Sequence, residues 1–368
     1  MHGGPIVIAA GGTGGHFFPA EALAAALLAR SYQIALMTDN RSAGLQSPVF
    51  ADYPRFVIPG AGIAGHSVLR AGKALVEIAA GIVQARSVLQ QIRAAAIVGF
   101  GGYPSVAPIL AAKSLRQFPS IILHEQNAVL GRANRFLARH ADALALSFDP
   151  TERVPKAAPT IVTGNPIRPA IAALAELPYT PPDDEIQLLV LGGSLGARIF
   201  SDMVPAALAS LPPHLRSVLS VTQQCRPEDI ERVRSAYLET RISAELAPFF
   251  ADIAERLAHS HLVIARAGAS TVSELAVTGR PSILVPLPGA IDNHQTANAR
   301  ALAAVRGASV MLQRTMTADV LGGQIGALLD EPGVLAQAAK AARSISRPDA
   351  AERLADLVGD LIRQEVRS

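Results

Sequence analysis

The chain has 368 residues, half of them hydrophobic and 17% charged, which is typical of an ordered globular protein long enough for two domains and excludes a disordered chain. Lys and Arg exceed Asp and Glu by only 33 to 30, and they neither form long runs nor alternate with aromatic residues, so no nucleic acid is expected as a partner. The lone cysteine, Cys225, excludes an intramolecular disulfide and a metal cage made of cysteines.

The chain begins with apolar strands that alternate with helices. Residues 6–10, 34–37, 95–98 and 121–123 are uniformly apolar and predict buried strands, and residues 19–30 predict a helix opened by Pro19. Uniformly apolar strands separated by helices favour an α/β fold with a parallel sheet covered on both faces. Glycines interrupt the apolar N-terminal stretch, and no segment has about twenty apolar residues in a row, so we expect a cytosolic protein without a signal peptide or a spanning helix.

The same order of elements begins again after a proline-rich stretch between Pro150 and Pro182, which predicts an inter-domain connection. Residues 186–191 predict a buried strand, residues 192–196 a glycine-rich turn and residues 197–211 a helix. Because the chain opens with the same sequence of strand, glycine-rich turn and helix, we expect two similar α/β halves.

Two predicted helices carry an apolar stripe. In the last twenty residues the stripe has helical spacing and must pack against another element, such as the first domain. Between Leu69 and Arg93 the pattern fits either an ordinary buried helix or a peripheral contact with anionic lipid. The residues of the two stripes are Leu354, Leu357, Val358, Leu361 and Ile362, and Leu75, Ile78, Ile82 and Leu89, the latter with Arg70, Lys73, Arg86, Lys113 and Arg116 nearby.

Three glycine-rich turns, at residues 11–15, 99–102 and 192–196, each follow a predicted strand. Glycine lets the backbone come close to a phosphate, and a helix that starts after such a turn offers free N–H groups with partial positive charge. Each turn alone is equally compatible with a tight connection that binds nothing. A dinucleotide-dependent oxidoreductase is disfavoured, although Asp39 is suitably placed for a ribose, because Phe17 occupies the third glycine position of the G-x-G-x-x-G pattern.

Polar residues follow further predicted strands. Residues 267–274 follow a strand at 262–265, and Thr271 and Glu274 have the spacing of a helix capping box. The same geometry would let free N–H groups hold a diphosphate while Glu274 accepts hydrogen bonds from a ribose.

Two more polar segments, His124 to Asn127 and Asp292 to Gln295, fit either a binding site or ordinary turn and cap chemistry, with Asn293 as an N-cap. His16 follows the first glycine-rich turn, where a single histidine is either structural or a general base with a pKa near the working range. There is no D-x-D pair to hold a metal-bound diphosphate, so no metal site of this kind is expected.

Taken together, the ordered motifs resemble the MurG family, the undecaprenyl-diphospho-muramoylpentapeptide N-acetylglucosaminyltransferases of bacterial peptidoglycan synthesis. The resemblance spans nearly the whole chain and implies a GT-B fold, in which two Rossmann-like domains with parallel sheets face each other across a cleft. It implies an acceptor- and membrane-facing domain at residues 1–163, a UDP-GlcNAc-binding domain at 164–346 and a helix at 347–368 that packs back on the first domain. The motifs are GGTGGH at 11–16, GFGGY at 99–103, HEQN at 124–127, GNPIR at 164–168, GGS at 192–194, AGASTVSE at 267–274 and DNHQ at 292–295.

The resemblance also implies a reaction: transfer of GlcNAc from UDP-GlcNAc to the C4 hydroxyl of a lipid-linked MurNAc-pentapeptide, with inversion and without a cofactor. It places the protein peripherally on the cytoplasmic face of the inner membrane, with the cell-wall synthesis machinery as a candidate partner. The alternatives are another GT-B nucleotide-sugar transferase, a UDP-GlcNAc epimerase on the same fold and a nucleotide-sugar sensor without catalysis. The HEQN and GGY segments favour an acceptor site over the epimerase and the sensor.

Motif matching assigns His16 as the general base that accepts the proton of the acceptor hydroxyl. Two positions depart from the family pattern: Phe250 stands where an aliphatic residue usually contacts uracil, and Leu195 stands where many relatives carry glutamine. Helix N-termini, Ser194 and Arg168 are expected to stabilise the departing diphosphate. The resemblance implies a substrate-binding set of Thr13, Gly14, Gly15, Asn127, Arg168, Ser194, Phe250, Ser270, Thr271, Glu274 and Gln295, and an acceptor side of Gly101, Gly102, Tyr103, His124 and Glu125.

Overall fold

The computed structural model describes residues 4–11, 14–40, 47–59, 68–117, 119–193 and 196–367, with only the backbone described at 68–75 and 365–367. The chain divides into two compact units, one made of Met1–Arg168 with Asp349–Ser368 and the other of Pro169–Pro348. Both boundaries lie slightly later in the chain than the predicted ones at 163 and 346. The first shifts because the N–H of Gly164 donates to Leu146 and its carbonyl accepts from His124, which ties this residue to the first unit.

Seven parallel strands form the sheet in the described part of the first unit. They are β1 (Ile6–Ala9), β2 (Ile34–Thr38), β3 (Arg55–Val57), β4 (Ala96–Gly99), β5 (Ser120–Glu125), β6 (Ala143–Leu146) and β7 (Thr160–Val162). Their order is β3-β2-β1-β4-β5-β6-β7. The strands β1, β2, β4, β5 and β6 are buried along their whole length, since apolar side chains on both faces pack under helices, and the predicted parallel sheet is confirmed.

Helices cover this sheet on both faces: α1 (Gly14–Ala29), α2 (Val68–Ile92), α3 (Val106–Lys113) and α4 (Arg132–Leu137). The helix α1 begins at Gly14, before the predicted start, so Pro19 lies inside the helix and not in its first turn. The turn after β1 is therefore shorter than its glycines suggest, because Gly14 and Gly15 adopt helical backbone and form the first turn of α1.

The predicted helix between Leu69 and Arg93 is confirmed as α2, but its apolar stripe is not a free surface. Leu89 is 1% exposed and lies in the core under the sheet, and Ile82 is half-buried against that core. Among the described side chains of α2, the large apolar ones that are exposed are Val76 and Val83, each 69% accessible. The lipid contact proposed for this stripe is therefore wrong at Leu89, because Leu89 and Ile82 pack α2 onto its own domain. The side chain of Leu75, also in the stripe, lies outside the described residues.

Six parallel strands form the sheet in the described part of the second unit, in the order β10-β9-β8-β11-β12-β13, where the strands are β8 (Ile186–Leu191), β9 (Leu219–Gln224), β10 (Ser243–Ala247), β11 (Leu262–Ala265), β12 (Ser282–Leu284) and β13 (Ala308–Val310). This order repeats that of the first six strands of the first unit, so the prediction of two similar halves is confirmed. The helices are α5 (Pro169–Ala172), α6 (Arg198–Ala209), α7 (Pro213–Arg216), α8 (Ile230–Thr240), α9 (Ile253–His259), α10 (Ala269–Thr278), α11 (His294–Ala304), α12 (Ala318–Leu329) and α13 (Pro332–Arg343).

The last helix, α14 (Ala350–Arg367), packs on α1 of the first unit. Its apolar stripe places Leu354, Val358 and Ile362 in the same core as Ile6 of β1, which accounts for the strong amphipathic pattern. At the edge of this contact Arg30 forms an ion pair of 2.9 Å with Asp356. Among the described residues, no helix has both the length and the apolar character needed to cross a bilayer.

Candidate active site

The order of the first sheet changes direction between β1 and β4, which pair from Ile6↔Ala96 to Ala9↔Gly99. In open α/β sheets, ligands bind beyond the carboxyl ends of the strands at such a switch point. The turn after β1 leads into Gly14 and Gly15 at the start of α1, whereas Gly12 and the predicted binding residue Thr13 lie outside the described residues. The two glycine-rich segments of the first unit thus flank one switch point.

The turn after β4 comes close to His16. Gly101 and Gly102 have φ angles of 77° and 67°, which an L side chain rarely adopts. A Cβ at Gly102 would lie 3.8 Å from Nε2 of His16, and the Oγ of Ser105 donates to the carbonyls of Ala9 and Gly101 at 3.1 and 2.9 Å. The structure therefore brings the turn after β4 close to the end of β1 and to the imidazole of His16. Tyr103, in the same turn, is 39% exposed.

The carboxylate of Glu125 is directed into its own loop. One oxygen accepts from the backbone N–H and the side-chain amide of Asn127 at 3.0 and 3.1 Å, and the other accepts from the N–H of Gly131 and the amide of Asn134 at 2.9 Å each. Glu125 is 3% exposed. Its described contacts are those of a residue that shapes the loop after β5 and orients Asn127.

His124 and Gln126, which alternate along the same segment, connect His16 to the backbone of Gly164. Nδ1 of His16 lies 2.7 Å from Oε1 of Gln126, and Nε2 of Gln126 lies 2.9 Å from Nδ1 of His124. Nε2 of His124 lies 3.0 Å from the carbonyl oxygen of Gly164. Complete burial lowers the pKa of His124 to about 4; the hydrogen bond to Gly164 opposes this shift and the nearby His16 adds to it.

The last predicted residue of the first unit, Arg168, lies above an aromatic ring of α1. Its guanidinium carbon is 5.5 Å from the ring centroid of Phe18, which is 41% exposed. This contact places the positive charge beside the first turns of α1, where anions are favoured.

The second sheet has its own switch point between β8 and β11, and its glycine turn follows β8. A Cβ at Gly192 would lie 2.3 Å from the backbone nitrogen of Ala197, so this position accepts only glycine. Gly193 and Gly196 have φ angles of 82° and 68°. The predicted diphosphate ligand Ser194 and its neighbour Leu195 lie outside the described residues.

Gln224, at the end of β9, holds this turn in place and was not singled out from the sequence. Its Oε1 accepts from the N–H of Gly192 at 3.0 Å, and its Nε2 donates to the carbonyls of Gly193 and Pro248 at 2.9 and 3.0 Å. The sequence could have indicated Gln224 as a candidate, because it is a polar residue at the carboxyl end of a predicted strand. Its hydrogen-bond partners could not be predicted, because they depend on how β8 and β9 align.

The helix α10, on the other side of the second switch point, has an uncapped N-terminus. Its N-cap is Gly268, with φ −63°, ψ 147° and no side-chain hydrogen bond. Thr271 is therefore the third residue of the helix, and the predicted capping box of Thr271 with Glu274 is wrong. Without a side-chain cap, the first N–H groups of α10 are available to an anion.

Side chains around this N-terminus are polar and partly or fully buried. The Oγ of Ser270 is buried and has no hydrogen-bond partner among the described residues. Glu274, one turn into the helix, is 8% exposed. A buried hydroxyl without a partner costs free energy in the absence of a ligand, so this arrangement is suited to a polar ligand.

The remaining predicted residues of the second unit have well-defined contacts. Oε1 of Gln295 accepts from the N–H of Leu287 at 2.9 Å. Asn293 occupies the N-cap position of α11 as predicted, but its Oδ1 accepts from the hydroxyl of Thr296 and does not cap the helix backbone. The ring of Phe250, only 7% exposed, lies 4.2 Å from the guanidinium carbon of Arg256.

The structure thus brings six of the predicted residues together in the first unit, at the carboxyl ends of its central strands. They are His16, Gly101, Gly102, His124, Glu125 and Asn127. In the second unit, Ser270, Thr271 and Glu274 share the first turns of α10, whereas Phe250 contacts Arg256 and Gln295 accepts from Leu287.

Two domain families match successive parts of the chain. The glycosyltransferase family 28 N-terminal domain matches residues 6–146, and the glycosyltransferase family 28 C-terminal domain matches residues 187–354. Each match contains most of one parallel sheet and the glycine turn at its switch point. The fold and the site therefore define a glycosyltransferase of the GT-B class, with one Rossmann-like domain in each unit.

Individual relatives narrow this class. A protein of Granulibacter bethesdensis named UDP-N-acetylglucosamine--N-acetylmuramyl-(pentapeptide) pyrophosphoryl-undecaprenol N-acetylglucosamine transferase is 61% identical over 356 residues, which cover 96% of this chain and 93% of that protein. A protein of the same name from Acidiphilium cryptum is 54% identical over 363 residues, covering 99% and 98%. The crystal structure of Acinetobacter baumannii MurG has a TM-score of 0.79 at 30% identity and covers 97% of this chain and 99% of that one. The chain belongs to the MurG family of these transferases.

Proposed function

We propose that this protein transfers GlcNAc from UDP-GlcNAc to the C4 hydroxyl of MurNAc in undecaprenyl-diphospho-MurNAc-pentapeptide, with inversion at the transferred carbon. The observation that carries the proposal is the 61% identity, over 96% of the chain, to a transferase whose name states this donor and this acceptor. The product is the disaccharide-linked lipid that peptidoglycan synthesis consumes.

The donor diphosphate binds at the uncapped N-terminus of α10, next to the glycine turn after β8. The N–H groups there, the unpartnered hydroxyl of Ser270, and Ser194 stabilise the negative charge that grows as UDP departs. Glu274 accepts hydrogen bonds from the ribose. The other donor contacts come from Thr271, from Phe250 at the uracil, from Arg168 on the nucleotide side, and from Gln295 and Asn127 at the sugar hydroxyls.

The acceptor binds at the switch point of the first unit, between Thr13 to Gly15, Gly101 to Tyr103 and the loop after β5. His16 takes the proton from the C4 hydroxyl, and the oxygen forms a bond to C1 of GlcNAc from the face opposite the diphosphate. The bond between C1 and the diphosphate oxygen breaks, and UDP leaves with the electron pair. His124 and Glu125 contribute by holding Gln126 and Asn127 in place.

The experiment that tests the function supplies labelled UDP-GlcNAc with and without the lipid-linked MurNAc-pentapeptide. Label in the lipid fraction only when the acceptor is present is the expected result, and His16→Ala lowers kcat by roughly two or more orders of magnitude. Release of free sugar, or of a sugar epimer, without any lipid product would instead support an epimerase. Donor binding without turnover would support a sensor, and transfer to a different acceptor would support another GT-B transferase.

We infer that the protein acts as a peripheral enzyme on the cytoplasmic face of the inner membrane. The surface of α3 and α4 supports this location. Residues 106–140 contain one acidic residue, Glu125, and it is buried. Phe136, also on this surface, is 48% exposed. Exposed cations with a projecting aromatic ring are the chemistry that anionic lipid attracts; the basic residues between 106 and 140 are Lys113, Arg116, Arg132, Arg135 and Arg139.

A further inference from the structure

A chain of hydrogen bonds runs from His16 through Gln126 and His124 to the carbonyl oxygen of Gly164. At the Gly164 end, the position of the hydrogen is fixed. The carbonyl oxygen of Gly164 can only accept, so Nε2 of His124, 3.0 Å away, carries a hydrogen. His124 is fully buried, and burial lowers its pKa to about 4, so the ring is neutral near pH 7. A neutral imidazole with a hydrogen on Nε2 has a lone pair on Nδ1.

The orientation of the Gln126 amide follows from that lone pair. The atom that faces Nδ1 of His124 at 2.9 Å must donate, so it is Nε2 of Gln126. The same nitrogen lies 3.1 Å from the carbonyl oxygen of His124, which again requires a donor. Oε1 of Gln126 consequently faces His16, and this oxygen can only accept.

The last link sets the tautomer of His16. Nδ1 of His16 lies 2.7 Å from Oε1 of Gln126 and must carry a hydrogen. The lone pair of the neutral ring is then on Nε2. This nitrogen is the one near Gly102, at 3.8 Å from the position of a Cβ there, in the turn that lines the acceptor side.

We infer that Gln126 and His124 are positioning residues that hold His16 in the Nδ1–H tautomer, so that Nε2 is kept ready to accept the proton of the acceptor hydroxyl. The catalytic consequence rests on the proposed function, whereas the tautomer itself is a property of the protein without substrate. In a neutral histidine, the hydrogen bond made by one ring nitrogen commonly determines whether the other nitrogen is protonated. Here a neutral amide provides this bond, and it holds the tautomer without adding a negative charge beside the base.

The test is nitrogen-15 NMR of the full chain labelled at its nine histidines, in which His16→Ala identifies the signals of His16. In the wild-type protein we expect a protonated Nδ1 and an unprotonated Nε2 at a pH where the ring is neutral. Gln126→Met removes the acceptor, and both tautomers of His16 should then be populated. Gln126→Glu keeps an oxygen that accepts from Nδ1 of His16 and should preserve the Nδ1–H form, although its other carboxylate oxygen does not donate to His124 as the amide does.

The matched control is Gln223→Met, which removes another buried amide, 0% exposed and bonded to Tyr237 in the second unit. It should leave the His16 signals unchanged. A wild-type His16 protonated at Nε2, or a tautomer that Gln126→Met does not alter, overturns the inference. If Gln126→Met fails to fold, the wild-type and Gln126→Glu spectra still decide it.

Kinetics separate this inference from the proposed function. Gln126→Met should lower kcat by about tenfold or more, since the base is no longer held in its reactive tautomer, and should leave KM for UDP-GlcNAc within about twofold. An unchanged kcat together with a changed tautomer would overturn the catalytic role of the relay. Absence of transfer by the wild-type protein would defeat the proposed function while the tautomer measurement stands by itself.

Discussion

At the residue scale, His124 is a histidine that the fold keeps neutral. Burial is the main cause of its pKa of about 4. The neutral ring has a lone pair on Nδ1, which accepts the hydrogen bond from the amide of Gln126. Because the ring stays neutral near pH 7, its Nδ1 remains available to accept the hydrogen bond from Gln126. The lowered pKa has a measurable consequence for stability.

We predict that the protein loses stability as the pH falls from about 6.5 to about 4. Since the pKa of His124 is lower in the folded protein than the ordinary value of 6.5, the unfolded chain takes up a proton in this range and the folded chain does not. The corresponding loss is about 3 kcal/mol of unfolding free energy and levels off below the folded pKa. It can be measured by denaturant unfolding at a series of pH values.

His124→Gln serves as the comparison, because its amide nitrogen can still donate to Gly164 but does not titrate. The variant should be less stable than the wild type at pH 7 and should show a flatter dependence on pH between 6.5 and 4. An equal slope in both proteins would assign the acid sensitivity to other groups.

The roles of some residues in the candidate site could be predicted from the sequence, and those of others could not. The HEQN segment was identified as a polar group at the end of a strand, because its residue types stand out after an apolar run. The inward direction of Glu125 was hidden, since its partners include Asn134, which comes nine residues later on α4. The link from His124 to Gly164 spans 40 residues and depends on how β5 and the segment after β7 lie together.

At the scale of elements, the strands were predicted well because burial on both faces leaves a uniformly apolar sequence. The errors fall at helix ends and helix faces. Pro19 and Thr271 both resemble residues that start helices, yet α1 begins at Gly14 and α10 at Ala269. The N-cap of α10 is Gly268, which has no side chain to cap the first N–H groups. The stripe of α2 was ambiguous, since core and lipid select the same apolar residues.

The glycine turn after β8 leaves no room for an added methyl group at Gly192. Gly192→Ala places a Cβ 2.3 Å from the backbone nitrogen of Ala197, so the turn must shift away from its contacts with Gln224. We predict a loss of roughly 1 to 3 kcal/mol of unfolding free energy and a higher KM for UDP-GlcNAc. Thermal unfolding and steady-state kinetics measure the two effects.

The matched control is Gly323→Ala in α12, where a Cβ would meet no heavy atom within 4 Å. Alanine should there stabilise the helix by roughly 0.5 to 1 kcal/mol and leave KM unchanged. Similar behaviour of the two variants would mean that the turn after β8 is not constrained in the way described.

At the scale of the whole molecule, the two units share one topology and carry different chemistry at equivalent places. The first has a histidine, a glutamine and glycines with positive φ at its switch point, and the second has an uncapped helix N-terminus. An acceptor that is lipid-linked adds a further requirement, since the enzyme must work at a membrane surface.

We predict that Lys113→Ser combined with Arg116→Ser weakens binding to vesicles that contain anionic phosphatidylglycerol. Each exposed cation near such a surface contributes about 1 kcal/mol, so the affinity should fall by roughly 30-fold. The control removes one lysine and one arginine that are also exposed, Lys340 and Arg314 of the second unit. Equal effects of the two pairs, or binding to neutral vesicles as strong as to anionic ones, would contradict this location of the lipid contact.

The most direct test of the central claim is the NMR structure of the sugar linkage in the lipid product formed from UDP-GlcNAc and undecaprenyl-diphospho-MurNAc-pentapeptide. We expect GlcNAc joined to C4 of MurNAc in the β configuration, because a base acting opposite the departing diphosphate inverts the α configuration of the donor. A product linked in the α configuration, linked at another hydroxyl, or absent while donor is consumed would contradict it.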